Sequence, residues 1–149
     1  MPVTIRSAGL DDVPAILALE REAASASHWT PEQYTRLVEG GLVLVAEAET
    51  KVSGFVCAQV LAEEWEIENV VVAAQARRRG IADALLRELL GHIRSQAGET
   101  VWLEVRESNQ PARRLYEKHG FREAGRRRGY YQEPVEDAVL YEWRVLSSE

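Results

Sequence analysis

The chain has 149 residues, of which 46% are hydrophobic and 28% charged, and this composition is typical of a soluble globular protein with a single core. Its formal net charge of -6 argues against a general nucleic-acid binder, whose surface would be basic, but permits a cationic substrate. The single cysteine, Cys57, excludes an internal disulfide. The stretch MPVTIRSAGLDD has no apolar segment of a secretion signal, and the apolar runs are too short to cross a bilayer, so we expect a cytoplasmic protein.

The first quarter of the chain predicts one strand and two helices. VTIRSA alternates apolar and polar residues, as a strand does. Asp11 or Asp12 can cap a first helix, because Pro14 would then lie in its first turn. Thr30 and Gln33 have the spacing of a capping box for a second, short helix.

The middle of the chain predicts three strands and then a long helix. LVLVAEA and VSGFVCAQVLA read as a hairpin joined by the turn ETK, and WEIENVVV reads as a third strand. After Gly80, apolar residues recur every four positions from Ile81 to Ile93, which predicts a helix.

The last third predicts a strand, a helix and a pair of strands. TVWLEV is the strand, Ser108 or Asn109 should cap the helix, and His119-Gly120 should end it. Phe121 onward and residues 137–145 should form an antiparallel pair. Helices interspersed in a mostly antiparallel run of strands predict a mixed α/β sheet with helices on both faces.

Three arginines stand where the long helix should begin. Arg77, Arg78 and Arg79 precede Gly80, although cations at a helix N-terminus are locally unfavourable. Free backbone N–H groups, a permissive glycine and arginine side chains together would bind an anion such as a phosphate. A solvated charge run is the alternative. The sequence has neither the Gly-Lys-Ser/Thr of a P-loop nor the G-x-G-x-x-G of a dinucleotide fold.

A second group of chemically capable residues follows in WLEVRESNQPARRLYEKHGF. On the predicted strand, Trp102 and Glu104 share the face opposite the buried valines and leucine. On these residues alone, Glu104 could be a solvated carboxylate, Asn109 a helix cap and Tyr116 a core aromatic. The histidines (His28, His92 and His119) have no metal-ligand spacing, so we interpret them as structural.

The segment Arg77-x-x-Gly80-x-Ala82 resembles the Q/R-x-x-G-x-G/A signature of the GNAT superfamily of acyl-CoA-dependent N-acyltransferases. Two departures are Ala82 in place of the second glycine and Ala73-Ala74 where Asp-Pro is usual. The segments HWTPEQY, LEVRESN, LYEKHGF, RRRGYY and EDAVLYEW resemble the bacterial ribosomal-protein-alanine N-acetyltransferases, a branch of that superfamily. The resemblance therefore covers nearly the whole chain.

The resemblance implies a single GNAT domain over residues 1–149, with a mostly antiparallel seven-stranded sheet and about four helices. It implies acetyl-CoA as co-substrate and no metal. Glu104 would be the general base, Tyr116 the general acid and Asn109 a coenzyme A contact. The acetyl-pantetheine arm would lie on the backbone of Val70, Val71 and Val72. The residues expected at the pyrophosphate are Arg77, Arg78, Arg79, Gly80, Ile81, Ala82 and Asp83.

The acceptor is less constrained by the sequence than the coenzyme. An α-amine, with a pKa near 8, costs about 3 kcal/mol less to neutralise than a lysine with a pKa near 10.4. The acidic stretch EEWEIEN could be a wall for a basic peptide or simply a solubilising edge. Glu68, Tyr130 and Tyr131 are candidate contacts to such a peptide, although tyrosines also suit an exposed strand pair.

The resemblance favours acetylation of the N-terminal α-amine of an alanine on a ribosomal protein, with neither nucleic acid nor membrane as partner. Two alternatives stay open. One is a GNAT enzyme for a protein lysine or a small amine, and the other is an acyl-CoA-binding module without turnover.

Overall fold

The computed structural model describes residues 2–23, 28–96 and 99–144. Within them, the strands are β1 (Thr4–Ser7), β2 (Leu42–Ala48), β3 (Lys51–Leu61), β4 (Glu64–Val72), β5 (Thr100–Arg106), β6 (Arg122–Tyr131) and β7 (Glu136–Arg144). The α-helices are α1 (Val13–Glu22), α2 (Pro31–Gly40), α3 (Ile81–Ser95) and α4 (Gln110–Lys118). Short 3₁₀ turns span Leu10–Asp12 and Ala74–Ala76. This order of elements is the predicted one.

All seven strands form one sheet in the order β1-β2-β3-β4-β5-β7-β6. Every neighbouring pair is antiparallel except β4 and β5, which are parallel. The β4–β5 ladder registers only Trp65 with Val101 and Glu66 with Trp102. Beyond those two pairs the strands separate, so the sheet is mostly antiparallel, as predicted, and is open at its centre.

Helices cover both faces of this sheet, which confirms the predicted layering. A Cβ atom added to Gly54 would lie 3.3 Å from Ile81 and 3.4 Å from Leu85, both on α3. The next residue, Phe55, packs edge-on against Tyr34 of α2, with ring centroids 5.9 Å apart. Neighbouring residues of a strand point to opposite faces, so α3 and α2 lie on opposite sides of β3.

Two of the predicted helix caps form with their side chains. At the start of α2, Thr30 Oγ1 accepts a bond from the Gln33 N–H, and Gln33 Oε1 accepts one from the Thr30 N–H. At the start of α4, Asn109 Oδ1 accepts a bond from the Ala112 N–H. The α2 helix ends at Gly40, and Gly41 is its C-cap residue.

The first helix is capped differently from the prediction. Asp12 is the N-cap residue of α1, but its side chain makes no cap bond to that helix. Its carboxylate instead accepts bonds from the Arg6 guanidinium, at 2.8 Å, and from the Gly9 N–H. Arg6 lowers the pKa of Asp12, and this charge-assisted pairing replaces the expected cap.

Across the part of the chain that the structure describes, no helix combines the length and the apolar character that a membrane crossing requires. The cytoplasmic location stays a prediction.

Candidate active site

A cavity of about 570 Å³ opens where β4 and β5 separate. It brings together ten of the predicted site residues: Glu68, Val70, Val71, Val72, Arg77, Ala82, Glu104, Asn109, Tyr116 and Tyr131. The other predicted residues do not line it: Arg78, Arg79, Gly80, Ile81, Asp83 and Tyr130. The separation of two parallel strands thus creates a cleft that both predicted catalytic side chains reach.

Glu104 lies on β5 between this cavity and a second one of about 330 Å³, since it lines both. Its side chain is 22% exposed, and Oε1 lies 3.7 Å from Nη2 of Arg127 on β6. Its Oε2 is buried and has no hydrogen-bond partner among the described residues. Because an unsatisfied buried oxygen is costly, this carboxylate is available to accept a hydrogen bond from a ligand.

Tyr116 lies on α4 and is buried against the aromatic residues Phe121 and Tyr141, with ring centroids 5.7 Å and 6.2 Å away. Burial, with a smaller contribution from Tyr131, raises the pKa of its phenol. The hydroxyl makes no hydrogen bond within the described ranges of the chain. A phenol that stays protonated and uncommitted can donate its proton to a ligand in the cavity.

Glu68 enters the same cavity from the opposite strand. It is the extra residue of a β-bulge, because Cys57 of β3 registers with Asn69 while the next residue, Ala58, registers with Ile67. Gln59 donates a hydrogen bond to Glu68 Oε2 at 2.8 Å. Burial raises the pKa of Glu68 to about 7; the Gln59 bond opposes this shift, whereas the nearby carboxylates of Glu66 and Glu104 add to it.

The arginine-glycine turn leads from β4 into α3. Gly80 has φ +74°, in the left-handed region that favours glycine, and a Cβ atom there would meet no described residue within 4 Å. Glycine is therefore favoured by the backbone conformation and leaves open space beside the helix start. Arg77 and Ala82 extend from this turn into the cavity lining, whereas Ile81 is buried in the core.

Asp83, in the first turn of α3, faces α4. Its Oδ1 lies 2.9 Å from Lys118 Nζ and 3.0 Å from His119 Nε2. Lys118 is the first cause and His119 a further cause of the lowered pKa of this carboxylate, and burial opposes both. The side chain therefore joins the two helices, and only the backbone of Asp83 is available to an anion.

A buried polar network, not predicted from the sequence, lies behind the cavity. Glu20 of α1 accepts hydrogen bonds at Oε1 from the Tyr34 hydroxyl, at 2.8 Å, and from the Trp29 N–H, at 2.6 Å. Asn69 of β4, which lines the cavity, donates to the same hydroxyl at 3.0 Å. Glu20 lies four residues after the buried Ile16, so its place in an apolar stripe was the available signal.

Other lining residues were also missed. They are Ala23, His28, Ile67, Asn69, Leu103, Val105, Arg106, Pro111, Ala112 and Leu115. Most follow from the predicted strands and helix once the opening between β4 and β5 is known. His28, interpreted as structural, has Nδ1 3.7 Å from Glu20 Oε2 and lines the cavity as well.

The model of the acetyltransferase (GNAT) family matches residues 11–121. The chain belongs to the GNAT acetyltransferase family. This GNAT chain is 34% identical over 140 residues to the [ribosomal protein bS18]-alanine N-acetyltransferase of Escherichia coli strain K12, covering 92% of this chain and 94% of the relative. It is 31% identical over 157 residues to an N-alpha-acetyltransferase of Saccharolobus solfataricus, covering 92% and 90%.

Among solved structures, the crystal structure of the ribosomal-protein-S18-alanine N-acetyltransferase from Escherichia coli superposes with a TM-score of 0.89. The two chains are 32% identical, and the match covers 99% of this GNAT chain and 97% of the other. The family and the fold predicted from the sequence are therefore confirmed, and the chain is an N-acetyltransferase.

Proposed function

We propose that this enzyme transfers the acetyl group of acetyl-CoA to the N-terminal α-amine of a ribosomal protein whose first residue is alanine. The observation that carries the proposal is the position of Glu104. This carboxylate has an unsatisfied oxygen and lies where the two cavities meet, and Tyr116 lines the larger of them. The relatives support the acceptor, since one is named for the alanine of bS18 and another as an N-alpha-acetyltransferase.

Acetyl-CoA would occupy the larger cavity. Beyond Glu66 the β5-facing backbone of β4 has no ladder partner among the described residues, so the backbone groups of Val70–Val72 can bind the pantetheine arm on that side. The pyrophosphate would lie at the start of α3, where residues 77–83 offer arginine side chains and the helix's first N–H groups. Asn109, whose side chain caps α4, lines the same cavity and would contact the coenzyme.

The acceptor would approach through the smaller cavity, which is lined in part by Glu64, Glu66 and Arg127. Burial, together with Glu104, raises the pKa of Glu66, which is the behaviour of clustered carboxylates. Such a cluster attracts the positive charge of a basic peptide and of its terminal ammonium. Tyr131, which lines the larger cavity, and its ring neighbour Tyr130, 5.1 Å away, would flank the bound peptide.

The reaction needs one proton acceptor and one proton donor at the reacting atoms. The neutral amine attacks the thioester carbonyl, the C–N bond forms, and Glu104 takes the proton that the nitrogen releases, directly or through a water. The C–S bond then breaks, and Tyr116 supplies the proton that the departing thiolate requires. The α-amine is the easier nucleophile to prepare, because it is neutral at a lower pH than a lysine.

The acceptor is tested with a peptide that begins with alanine and carries arginines nearby together with an internal lysine. Mass spectrometry locates the acetyl group, and we expect it on the α-amine. Acetylation confined to lysine would identify a GNAT enzyme for another acceptor. Binding of acetyl-CoA without turnover of any peptide or free amine would identify a binding module. Equal rates for acidic and basic peptides at low salt would contradict the steering role of the carboxylates.

The coenzyme site is tested separately with Gly80→Val. A β-branched residue is disfavoured at the φ of +74° recorded for Gly80, so we expect the turn to change shape. Acetyl-CoA affinity, measured by calorimetry, should then fall at least about tenfold, since a turn that cannot form loses its backbone donors. Gly91→Ala on α3, where an added Cβ atom also meets no described residue within 4 Å, is the matched control and should bind normally. Unchanged affinity in Gly80→Val would remove this turn from the coenzyme site.

A further inference from the structure

We propose that Glu68 is a second proton acceptor of the reaction. It removes the proton that makes the incoming amine an ammonium, whereas Glu104 removes the proton released when the nitrogen attacks. The inference rests on the proposed function and assigns to a further residue the step that prepares the nucleophile.

The position of Glu68 supports this role. A bulge places an extra residue on one strand and re-aims its side chain. Here that residue is Glu68, on the stretch of β4 that has already parted from β5. Glu68 and Glu104 line the cavity from the two strands that flank the opening. Glu104 is close enough for its charge to contribute to the raised pKa of Glu68. An ammonium between the strands would meet a carboxylate on each side.

The hydrogen bonding of Glu68 leaves one of its oxygens able to accept a proton. Gln59 holds Oε2 at 2.8 Å and so fixes the orientation of the carboxylate. Oε1 makes no hydrogen bond to any described residue, and the side chain lines the cavity. One oxygen is thus anchored and the other can receive a proton.

The proton affinity of Glu68 matches that of the acceptor. Burial raises its pKa to about 7. An α-ammonium has a pKa near 8, so transfer to this carboxylate is unfavourable by only about tenfold. Transfer to a carboxylate with the ordinary pKa near 4.3 would be unfavourable by more than about a thousandfold.

The charged or titratable residues around Glu68 come from every element that packs against it. They are Cys57 on β3, Glu66 on β4, Arg77 after β4, Glu104 and Arg106 on β5, Tyr116 on α4, Tyr131 on β6 and His28 before α2.

The nitrogen loses two protons in two separate transfers, and the remaining transfers restore the side chains. The ammonium gives one proton to Glu68, and its nitrogen gains the lone pair that attacks the thioester carbon. The attacking nitrogen gives a second proton to Glu104, the C–S bond breaks, and the thiolate takes the Tyr116 proton. Glu104 returns its proton to the phenolate, and Glu68 releases its proton to solvent. The products are the acetylated amine, the free thiol of coenzyme A and one proton.

The test is the pH dependence of turnover in Glu68→Gln, which keeps the shape of the side chain and can still bond to Gln59. With an alanine-first peptide at saturation, we expect kcat to fall about tenfold or more at pH 7. At pH 9, where an α-amine with a pKa near 8 is mostly neutral without help, kcat should return to within about threefold of the parental value. The loss in Glu104→Gln should persist at both pH values.

The control is Glu39→Gln, which removes one exposed carboxylate from α2 and should leave the pH profile unchanged. Parental kcat in Glu68→Gln at pH 7 would overturn the inference. An equal loss at pH 7 and pH 9 would also overturn it, because a merely structural defect has no reason to recover when the amine becomes neutral. Failure of the unaltered enzyme to acetylate the α-amine at any pH would instead contradict the proposed function.

Discussion

Two carboxylates with little solvent exposure have opposite surroundings in this fold. Glu20, 3% exposed, accepts two hydrogen bonds at one oxygen and joins α1, α2 and β4 through Tyr34 and Asn69. Glu104 has a buried oxygen with no partner among the described residues. A buried carboxylate whose bonds are made holds structure together, whereas one left unsatisfied in a cavity is available for chemistry. Burial alone does not separate these two roles, but hydrogen bonding does.

Glu104→Gln should have the largest effect on activity. We expect kcat to fall at least about a hundredfold, because the nitrogen loses its proton acceptor. The affinity for acetyl-CoA and the midpoint of thermal unfolding should change little, since an oxygen without a partner contributes no hydrogen bond to stability. Steady-state kinetics from pH 6 to 9, calorimetry and thermal unfolding measure the three quantities. Parental turnover across that pH range would show that the assigned base is wrong.

Tyr116→Phe should also act on turnover with little effect on folding. Phenylalanine keeps the ring packed on Phe121 and Tyr141, and the missing hydroxyl makes no hydrogen bond within the described residues. We expect kcat to fall about ten- to a hundredfold, with acetyl-CoA affinity retained. If kcat falls together with the unfolding midpoint, the hydroxyl is structural and Tyr116 belongs with Glu20 in the comparison.

Glu20→Ala should reverse the pattern. It leaves the Tyr34 hydroxyl without its acceptor, and we expect a loss of about 2–3 kcal/mol in the free energy of unfolding. For a domain of this size that corresponds to a midpoint lower by roughly 5–12 °C. Glu22→Ala, an exposed position on the same helix, is the control and should change neither quantity. A stable Glu20→Ala enzyme with greatly reduced kcat would show that Glu20 is not the structural carboxylate of this pair.

The smallest expected effect is on the pH dependence of stability. Burial raises the pKa of Glu68 from 4.5 in the unfolded chain to about 7 in the folded one. The folded state therefore holds a proton that the unfolded state has released, and stability falls as the pH rises from about 4.5 to about 7. Glu68 is only partly buried, so solvent screening reduces the full linkage value. Relative to Glu68→Gln, the unaltered protein should lose on the order of 1 kcal/mol across this window, measured by urea unfolding at pH 5 and pH 8. A difference that stays constant with pH would place the pKa of Glu68 near its ordinary value.

The sequence predicts those features of the site that depend on neighbours along the chain. Thr30 with Gln33, Asn109 before Pro111, and Gly80 before the apolar helix are local signals, and each was confirmed as a cap or turn. These devices depend on backbone groups within a few residues of the side chain, so spacing alone reveals them.

The features that the sequence did not predict depend on distant pairing. The stretch EIENVVV gives no sign that Glu68 is a bulged residue, because the bulge exists only in the register against β3. The contact between Arg127 and Glu104 joins β6 to β5, with β7 between them in the sheet. The burial of Glu20 was not predicted because it is a glutamate, and carboxylates are seldom buried unless partners elsewhere in the fold satisfy them. The roles of Glu104, Tyr116 and Asn109 stay predictions that the experiments above test.

The short ladder between β4 and β5 also has a mechanical consequence. Two complete antiparallel units, β1–β4 and β5–β7–β6, are joined in the sheet by two register pairs at one end. The angle between the two units can therefore change, as at a hinge, with little loss of the hydrogen bonds between β4 and β5. We expect amide hydrogens of β5 beyond Trp102 that point toward β4 to exchange faster than those that point toward β7. Binding of acetyl-CoA should slow that exchange by filling the gap between β4 and β5.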